Sequence, residues 1–295
     1  MKLNDINIRD PYIIKAEGKY YMYGTRSATT WGYGDGFDCY ISEDLKNWEG
    51  PKEIFHRPEG FFANKQYWAP ECVQKDGYYY LVATLGSDTD PIGCYALRST
   101  RPDGPFEPYS KRLTPESVKC LDGTVYTDPE GTPWLIYSHS FENKCRGYMN
   151  CIELADDFSH SVGEAFTLFD AADAKWVVPF PYAKEEFGVE EEAYFTDGPC
   201  LRIMEDGRLY MTWSSWGRQN EYAVGVAVSD NASLRGPWRQ IDEALFPVDG
   251  GHGMFFTDYN GKMYFTLHYP NEKFHEHPVF YPVEVKDGSL VLMKR

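Results

Sequence analysis

The chain has 295 residues and a formal net charge of −16, with 42% hydrophobic and 17% aromatic residues. An acidic surface repels phosphate backbones, which argues against nucleic acid as a partner. The seven cysteines show no CxxC spacing, which argues against a disulfide framework or a zinc cluster. No apolar signal region or membrane-spanning run is found, so we expect a cytoplasmic protein without a membrane partner; a chain that had lost its signal peptide would look identical.

One local pattern occurs five times along the chain. A turn glycine precedes an aromatic strand candidate, as where Gly18 precedes residues 19–23, and successive turn glycines lie 54 to 76 residues apart. These glycines are Gly18, Gly77, Gly131, Gly207 and Gly261. Repeats of this length indicate a radial array. The strand-rich pattern therefore predicts an all-β protein, a single five-bladed β-propeller over residues 1–295.

The predicted blades follow one another in chain order. They run from Asp10 to Pro51, Trp68 to Glu107, Asp122 to Gly163, Asp197 to Trp238, and His252 to the C-terminus. An acidic connection from Phe166 to Phe195 explains the longest spacing between turn glycines. We expect this connection to be a solvated surface insertion with room for a short helix.

Each blade also opens with a polar signature, six to ten residues before its turn glycine. The first strand of a propeller blade lines the central axis, so Asp10, Asp122 and Asp197 are expected to converge on one cavity. A single aspartate beside proline or glycine usually serves only a turn. Three at equivalent positions of the repeat indicate a catalytic group. Glycoside hydrolysis needs one protonated carboxyl and one carboxylate, and a third acid nearby would raise the pKa of the proton donor.

The second strand of each blade returns to the face where these acids lie. Residues that follow it should surround the opening and contact a bound sugar. The substrate-binding candidates are Trp31, His139, Trp216 and Arg218, with Trp68 and Glu71 from the opening of blade two. Trp68 could instead simply close its blade. A lone histidine is more often buried and satisfied than a ligand, but the glycines around His252 let its backbone approach a ligand closely.

The order and spacing of the five signatures resemble glycoside hydrolase family 43, five-bladed propellers that invert configuration at arabinofuranosides and xylosides. The motifs span nearly the whole chain: Arg9-Asp10-Pro11, Trp68-Ala69-Pro70-Glu71, Asp122-Gly123-Thr124, Asp197-Gly198-Pro199 and Gly251-His252-Gly253. The resemblance implies that Asp10 is the general base, that Asp122 modulates the pKa of the acid, and that the residue opening blade four is the acid. It also implies an axial His252 beside water or calcium. We expect calcium held through water, and no organic cofactor.

The acid position departs from the family pattern. Most of the family carries Glu-Gly-Pro there, whereas this chain has Asp197-Gly198-Pro199, and aspartate is one methylene shorter. A subset of the family that looks like this chain carries the same aspartate, which favours an active enzyme. Glu192, five positions earlier, is the nearest substitute for the acid.

These observations predict an inverting exo-glycosidase that acts on terminal pentosides, chiefly α-L-arabinofuranosides, of an oligosaccharide or polysaccharide-derived substrate. The alternatives are a β-xylosidase, a related propeller glycosidase such as an anhydrogalactosidase, and a propeller that binds glycans without cleaving them. A pure binding module has no use for three axial acids, which favours the hydrolase. The sequence makes no prediction of the oligomeric state.

Overall fold

The computed structural model describes residues 1–139 and 145–294 of the chain. Within these ranges, twenty strands form five antiparallel sheets of four strands, and neighbouring strands of a sheet are also neighbours in sequence. The first strand of each sheet contacts the first strands of the sheets on either side, so the five first strands form a ring around one axis. The predicted all-β, five-bladed propeller is confirmed.

The strands are numbered in chain order. Blade one (β1–β4) consists of Ile8–Ala16, Lys19–Arg26, Gly36–Ser42 and Trp48–His56. Blade two (β5–β8) consists of Lys65–Lys75, Tyr78–Gly86, Gly93–Ser99 and Glu107–Pro108. Blade three (β9–β12) consists of Cys120–Thr127, Pro133–His139, Tyr148–Leu154 and Ser161–Asp170. Blade four (β13–β16) consists of Asp197–Ile203, Leu209–Trp216, Tyr222–Ser229 and Trp238–Gln240. Blade five (β17–β20) consists of Gly251–Thr257, Met263–Tyr269, His277–Lys286 and Ser289–Leu292.

Residues 171–196 connect blades three and four. The connection begins later than the predicted Phe166 because the outer strand β12 continues to Asp170, beyond the predicted blade end at Gly163. It holds the short helix α1, Ala183–Phe187, and its glutamates are exposed, as expected for a solvated insertion. The described 3-10 turns are Leu3–Asp5, Ser27–Thr29 and Ala171–Asp173. None of the helices in the described ranges is long and apolar enough to span a bilayer.

The predicted hairpins and their aromatic strands form the cores between blades. All five predicted turn glycines have φ between 76° and 91°, the left-handed conformation that glycine adopts without strain. The middle strands carry much of this burial, most completely in blade four, where β14 is buried at seven of eight residues and β15 at all eight. Both faces of a middle strand pack against neighbouring blades, so its apolar run is nearly continuous rather than alternating.

A buried ion pair joins the first and last blades. Arg9 on β1 donates from Nη1 to Glu276 Oε1 at 2.9 Å, and Ser27 Oγ donates to Glu276 Oε2 at 2.6 Å. Burial opposes the charge on Glu276, but the Ser27 and Arg9 donors outweigh it and lower the pKa of this carboxyl. The pair therefore stays ionised, links the two blades and holds the Arg9 guanidinium at the axial end of β1.

Candidate active site at the propeller axis

A bulge interrupts every innermost strand at the same register. In blade one, the pairing of β1 with β2 stops at Arg9–Thr25 and resumes at Tyr12–Tyr23, and the other four blades show the same gap. The first residue of each gap has φ between 45° and 55°. These residues are Asp10, Ala69, Asp122, Gly198 and His252. Four of them are not glycine, and such a conformation is sparsely populated for residues with a side chain.

The bulge corrects one element of the sequence-based prediction. Asp10 and Asp122 occupy the same bulge position, but the equivalent residue of blade four is Gly198. Asp197 lies one residue earlier and pairs with Ser214. The prediction that all three acids occupy equivalent repeat positions is therefore wrong for Asp197. A bulge shifts the register by one residue, and the distance to a turn glycine does not reveal it.

Hydrogen bonds between blades hold the bulges in place. The amide of Ala69 donates to Thr25 Oγ1 at 2.7 Å, that of Asp122 to Thr84 Oγ1 at 2.8 Å, and that of His252 to Ser214 Oγ at 2.8 Å. The amide of Asp10 donates to His268 Nδ1 at 3.3 Å. In each case the acceptor lies on the second strand of the preceding blade. Blade four differs, because the Gly198 amide donates to the Asp122 carboxylate itself, at 3.3 Å from Oδ2.

Asp10 is a buried carboxylate with strong partners. Thr25 Oγ1 donates to its Oδ2 at 2.5 Å, and His252 Nδ1 lies 3.3 Å from its Oδ1. Burial alone would raise the pKa of Asp10, but the neighbouring His252, His268 and Arg9 side chains together outweigh burial and hold the pKa well below its usual range. An ionised carboxylate at neutral pH can accept a proton from water, as a general base must.

Asp122 has the opposite electrostatic balance. Burial raises its pKa to about 7, His252 opposes this, and the negative charges of Asp197 and Asp10 add to it. His252 Nδ1 lies 3.6 Å from Asp122 Oδ2, so the imidazole stands between the carboxyls of Asp122 and Asp10. Burial and the neighbouring carboxylates thus favour the protonated form of Asp122 up to about neutral pH.

Asp197 is half-buried at the start of β13 and is the most accessible of the three acids. Tyr222 Oη donates to its Oδ2 at 3.1 Å. Glu192, the alternative acid, is exposed in the connection. The Tyr222 hydroxyl thus holds the carboxyl of Asp197 next to the Gly198 amide that contacts Asp122.

The calcium predicted beside His252 depends on the oxygen ligands that the protein offers. Calcium takes six to eight oxygen ligands. Over residues 1–139 and 145–294, no group of three or more His, Cys, Asp and Glu side chains is arranged to hold a metal ion. Within the described ranges these four side-chain types thus offer no direct metal cluster, and calcium held through water stays a prediction.

The two predicted tryptophans of blades one and two lie beside Arg9. Trp31 is 56% exposed, and its ring packs edge-on against Trp68 with centroids 6.0 Å apart. The Arg9 guanidinium lies 5.5 Å from the centroid of the Trp31 ring. Trp68 donates from Nε1 to the carbonyl of Thr30 at 2.7 Å, which fixes its ring beneath Trp31. The two rings therefore form an aromatic wall against the Arg9 guanidinium, whose charge acts on Asp10.

The other predicted rim residues occupy different surroundings. Trp216 ends β14, and its ring packs edge-on against Phe180 at 5.3 Å and Tyr182 at 5.9 Å, both from the connection. Arg218 is exposed and donates from Nε to the Lys175 carbonyl at 2.6 Å, with Nη1 3.3 Å from Glu243 Oε1. His139 is buried, with Nδ1 3.4 Å from Asn150 Nδ2.

Glu71 lies deeper than a rim residue. Glu71 is the first residue of β5 that pairs with β6 again after the bulge. Tyr12, Thr124 and Cys200 occupy the same position in their own blades, and Glu71 is 5% exposed. Burial raises its pKa well above the usual range; Thr124 opposes this and the charge of Asp122 adds to it. Glu71 is therefore a buried, neutral acid rather than a residue of the rim.

Three residues of the site were absent from the substrate-binding and catalytic predictions. Thr25 joins the Asp10 carboxylate to the amide of Ala69, Tyr222 binds Asp197, and the Arg9 guanidinium supports Asp10. Only Arg9 had a signal in the sequence, its place in the Arg9-Asp10-Pro11 motif. The roles of Thr25 and Tyr222 depend on contacts between strands of different blades or different register.

The fold and the site together define a five-bladed propeller whose axial mouth carries three carboxyls suited to acid–base chemistry. Residues 5–290 match the model of glycosyl hydrolases family 43. The chain belongs to this family, and the prediction of this family of glycoside hydrolases is confirmed.

The names of several relatives of the chain refer to hydrolysis of arabinans or xylosides. A solved endo-arabinase from Bacteroides thetaiotaomicron VPI-5482 is 32% identical, with a TM-score of 0.88 and 98% of each chain covered. An extracellular endo-alpha-(1->5)-L-arabinanase of Thermotoga petrophila is 28% identical over 45% of this chain and 34% of its own length. Xylosidase/arabinosidase 43A of Humicola insolens is 27% identical over 46% of this chain and 44% of its own. The chain thus matches less than half of the length of these two curated relatives.

The raised pKa of Asp122 predicts a pH-dependent change in stability. An aspartate has a pKa near 3.9 when unfolded and Asp122 about 7 when folded, so the folded state binds the extra proton and loses stability as pH rises through this window. We expect Asp122→Asn to raise the melting temperature by a few degrees at pH 8, with the gain vanishing near pH 4. Thermal unfolding across this range measures it.

Asp128→Asn, in the β9–β10 turn, is the matched control and should show no such pH-dependent gain. A melting temperature of Asp122→Asn that falls equally at pH 4 and pH 8 would contradict the raised pKa.

Proposed function

We propose that the chain hydrolyses α-L-arabinofuranosidic bonds with inversion of configuration, with Asp10 as base, Asp197 as acid and Asp122 as modulator of the acid. The observation that carries the proposal is the opposed electrostatics of two buried aspartates at one bulge position. The pKa of Asp10 is held low beside His252 and Arg9, whereas the pKa of Asp122 is raised by burial and by its acidic neighbours. The low pKa suits Asp10 to the role of base. The charge of Asp197 contributes to the raised pKa of Asp122, so a proton is favoured at these two neighbouring carboxyls, and the more accessible Asp197 can deliver it.

Each group has a defined task in this mechanism. Asp10 takes a proton from water as the water attacks the anomeric carbon. Asp197 gives its proton to the leaving oxygen, and its half-exposed position lets it reach a bound glycoside. Asp122 contacts the amide next to Asp197. As pH rises through its raised pKa of about 7, Asp122 becomes negative, and its charge then favours the protonated form of the donor. The aromatic wall of Trp31 and Trp68 offers a stacking surface for a sugar ring.

The choice of arabinose is supported by the names of the relatives. The solved neighbour with 32% identity is an endo-arabinase, and the two curated relatives are an arabinanase and a xylosidase/arabinosidase. Exo attack on a terminal residue is our first proposal. Endo attack within arabinan is the second candidate, since two relatives carry that name and exposed aromatic rings lie both at Trp31 and at Tyr182.

A panel of nitrophenyl pentosides, with arabinan and its oligosaccharides, tests the proposal. We expect turnover of the α-L-arabinofuranoside above the β-xyloside, and single arabinose units released from chain ends. Asp10→Asn should lower activity at least about a hundredfold on every substrate, because the attacking water must be activated whatever the leaving group. Mixed oligosaccharides as early products would favour the endo candidate. Activity on xylosides alone would overturn the arabinoside proposal, and an active Asp10→Asn would overturn the assignment of the base.

Leaving-group dependence tests the acid. Asp197→Ala should lose about a hundredfold or more on an arabinose disaccharide but far less on a nitrophenyl substrate, because nitrophenolate departs without a proton. Glu192→Ala is the matched control and should behave as wild type on both. If Asp197→Ala loses both activities equally while Glu192→Ala shows the leaving-group dependence, Glu192 is the acid.

Calcium held through water beside His252 remains part of the proposal. A chelator is expected to lower both the activity and the melting temperature, and added calcium should restore them. If both measurements are unchanged after chelation, His252 serves the site only through its contacts with Asp10 and Asp122.

A further inference from the structure

Tyr222 makes a direct contact with the proposed acid. It begins β15, and its hydroxyl donates to Asp197 Oδ2 at 3.1 Å. Burial raises the pKa of Tyr222 well above its usual range, and the charges of Asp197 and Asp10 add to the effect while Arg9 opposes it. The hydroxyl therefore keeps its proton throughout the working pH range and remains a donor to the carboxyl.

The ring of Tyr222 is held on three sides. It stacks on His268 with centroids 5.7 Å apart and on Phe195 with centroids 6.2 Å apart, with interplanar angles of 17° and 18°. On the third side lies Gly251, where a Cβ atom would stand 2.2 Å from Tyr222 Cε1. The glycine before His252 is thus required by the ring of Tyr222, and the direction of the hydroxyl is fixed by packing.

We propose that Tyr222 is a positioning residue for Asp197. Its hydroxyl holds Oδ2 of the carboxyl, so that Oδ1 carries the proton and faces the leaving oxygen. The proposal rests on the proposed function, since it assumes that Asp197 is the acid. Once the proton has been delivered, the same hydroxyl stabilises the carboxylate that remains. Proton donation to a poor leaving group needs this orientation, whereas departure of a nitrophenolate does not.

The hydrogen bond from Tyr222 to Asp197 also predicts the direction in which the pH profile of activity shifts when the bond is lost. A donor to a carboxylate favours its ionised form, so loss of the hydroxyl should move the basic limb of activity to higher pH. The other groups that face this pair are the carboxyls of Asp122 and Asp10, the Arg9 guanidinium, His252 against Gly198, and His268 against the Tyr222 ring. All of them are retained when only the hydroxyl is removed. Loss of the Asp122 charge should instead move the basic limb to lower pH.

Tyr222→Phe tests the proposal because it keeps the stacked ring. The substrates are the nitrophenyl pentoside that the wild type hydrolyses best and the corresponding disaccharide. We expect kcat/KM to fall about tenfold or more on the disaccharide and no more than about threefold on the nitrophenyl substrate, with the basic limb raised by about half a pH unit. In an Asp197→Ala background the same change should have almost no further effect on the disaccharide, because the two residues act as a unit.

Tyr210→Phe is the matched control. Tyr210 is also a buried tyrosine whose hydroxyl donates to an aspartate, Asp206 Oδ2 at 2.8 Å, but it lies next to the β13–β14 turn. It should lower stability without changing the ratio of the two activities. If Tyr222→Phe does not fold, Phe195→Leu, which removes one stacked ring and keeps the hydroxyl, should change the ratio in the same direction.

The outcomes separate the two proposals. A wild type inactive on all pentosides would overturn the proposed function. An active wild type with equal losses on both substrates in Tyr222→Phe, or an unmoved basic limb, would overturn the positioning role alone.

Discussion

The left-handed bulge residue of each innermost strand is the constraint on which the site depends. It turns the backbone so that consecutive residues no longer alternate across the sheet, and it releases an amide that the strand's own ladder does not bind. In four blades a second-strand side chain of the preceding blade accepts that amide; Thr25, Thr84, Ser214 and His268 serve in this way. The bulges and the contacts between blades therefore stabilise each other, and Asp10 and Asp122 lie on this mutually supported part of the ring.

Blade four departs from this arrangement at the residue next to Asp197. Its bulge residue is Gly198, whose amide binds the Asp122 carboxylate, and Ser138 Oγ, the second-strand hydroxyl in register with the other acceptors, has no hydrogen-bond partner among the described residues. A Cβ atom at residue 198 would lie 2.5 Å from the His252 ring. Glycine here lets three blades approach one another: His252 packs against the backbone, and a carboxylate on β9 is linked to the strand that carries Asp197.

The sequence predicted the repeat and most of the axial residues because their signals are local. The conformation of a turn glycine depends only on its own φ, and an aromatic strand can be recognised from consecutive residues. Gly18 and the four later glycines therefore located all five hairpins. The one-residue shift at Asp197, the link made by Thr25 and the hydroxyl of Tyr222 are not local. Each arises from pairing across strands, in which a bulge changes the register without changing the residue types. Glu71 was placed on the axis from sequence, but its depth depends on that same register.

Packed aromatic rings of the connection between blades three and four link Trp216 to Asp197. Phe180 packs edge-on against Trp216 and, with centroids 5.4 Å apart, against Phe195; Phe195 in turn stacks on Tyr222, which binds Asp197. Asp197 is the first residue after the connection, so the segment that shapes the outer aromatic surface also sets the start of β13. Close-packed rings transmit a displacement rather than absorb it. The packing of the connection and the orientation of the Asp197 carboxyl are therefore linked, and aspartate, one methylene shorter than glutamate, has fewer rotatable bonds with which to lose that orientation.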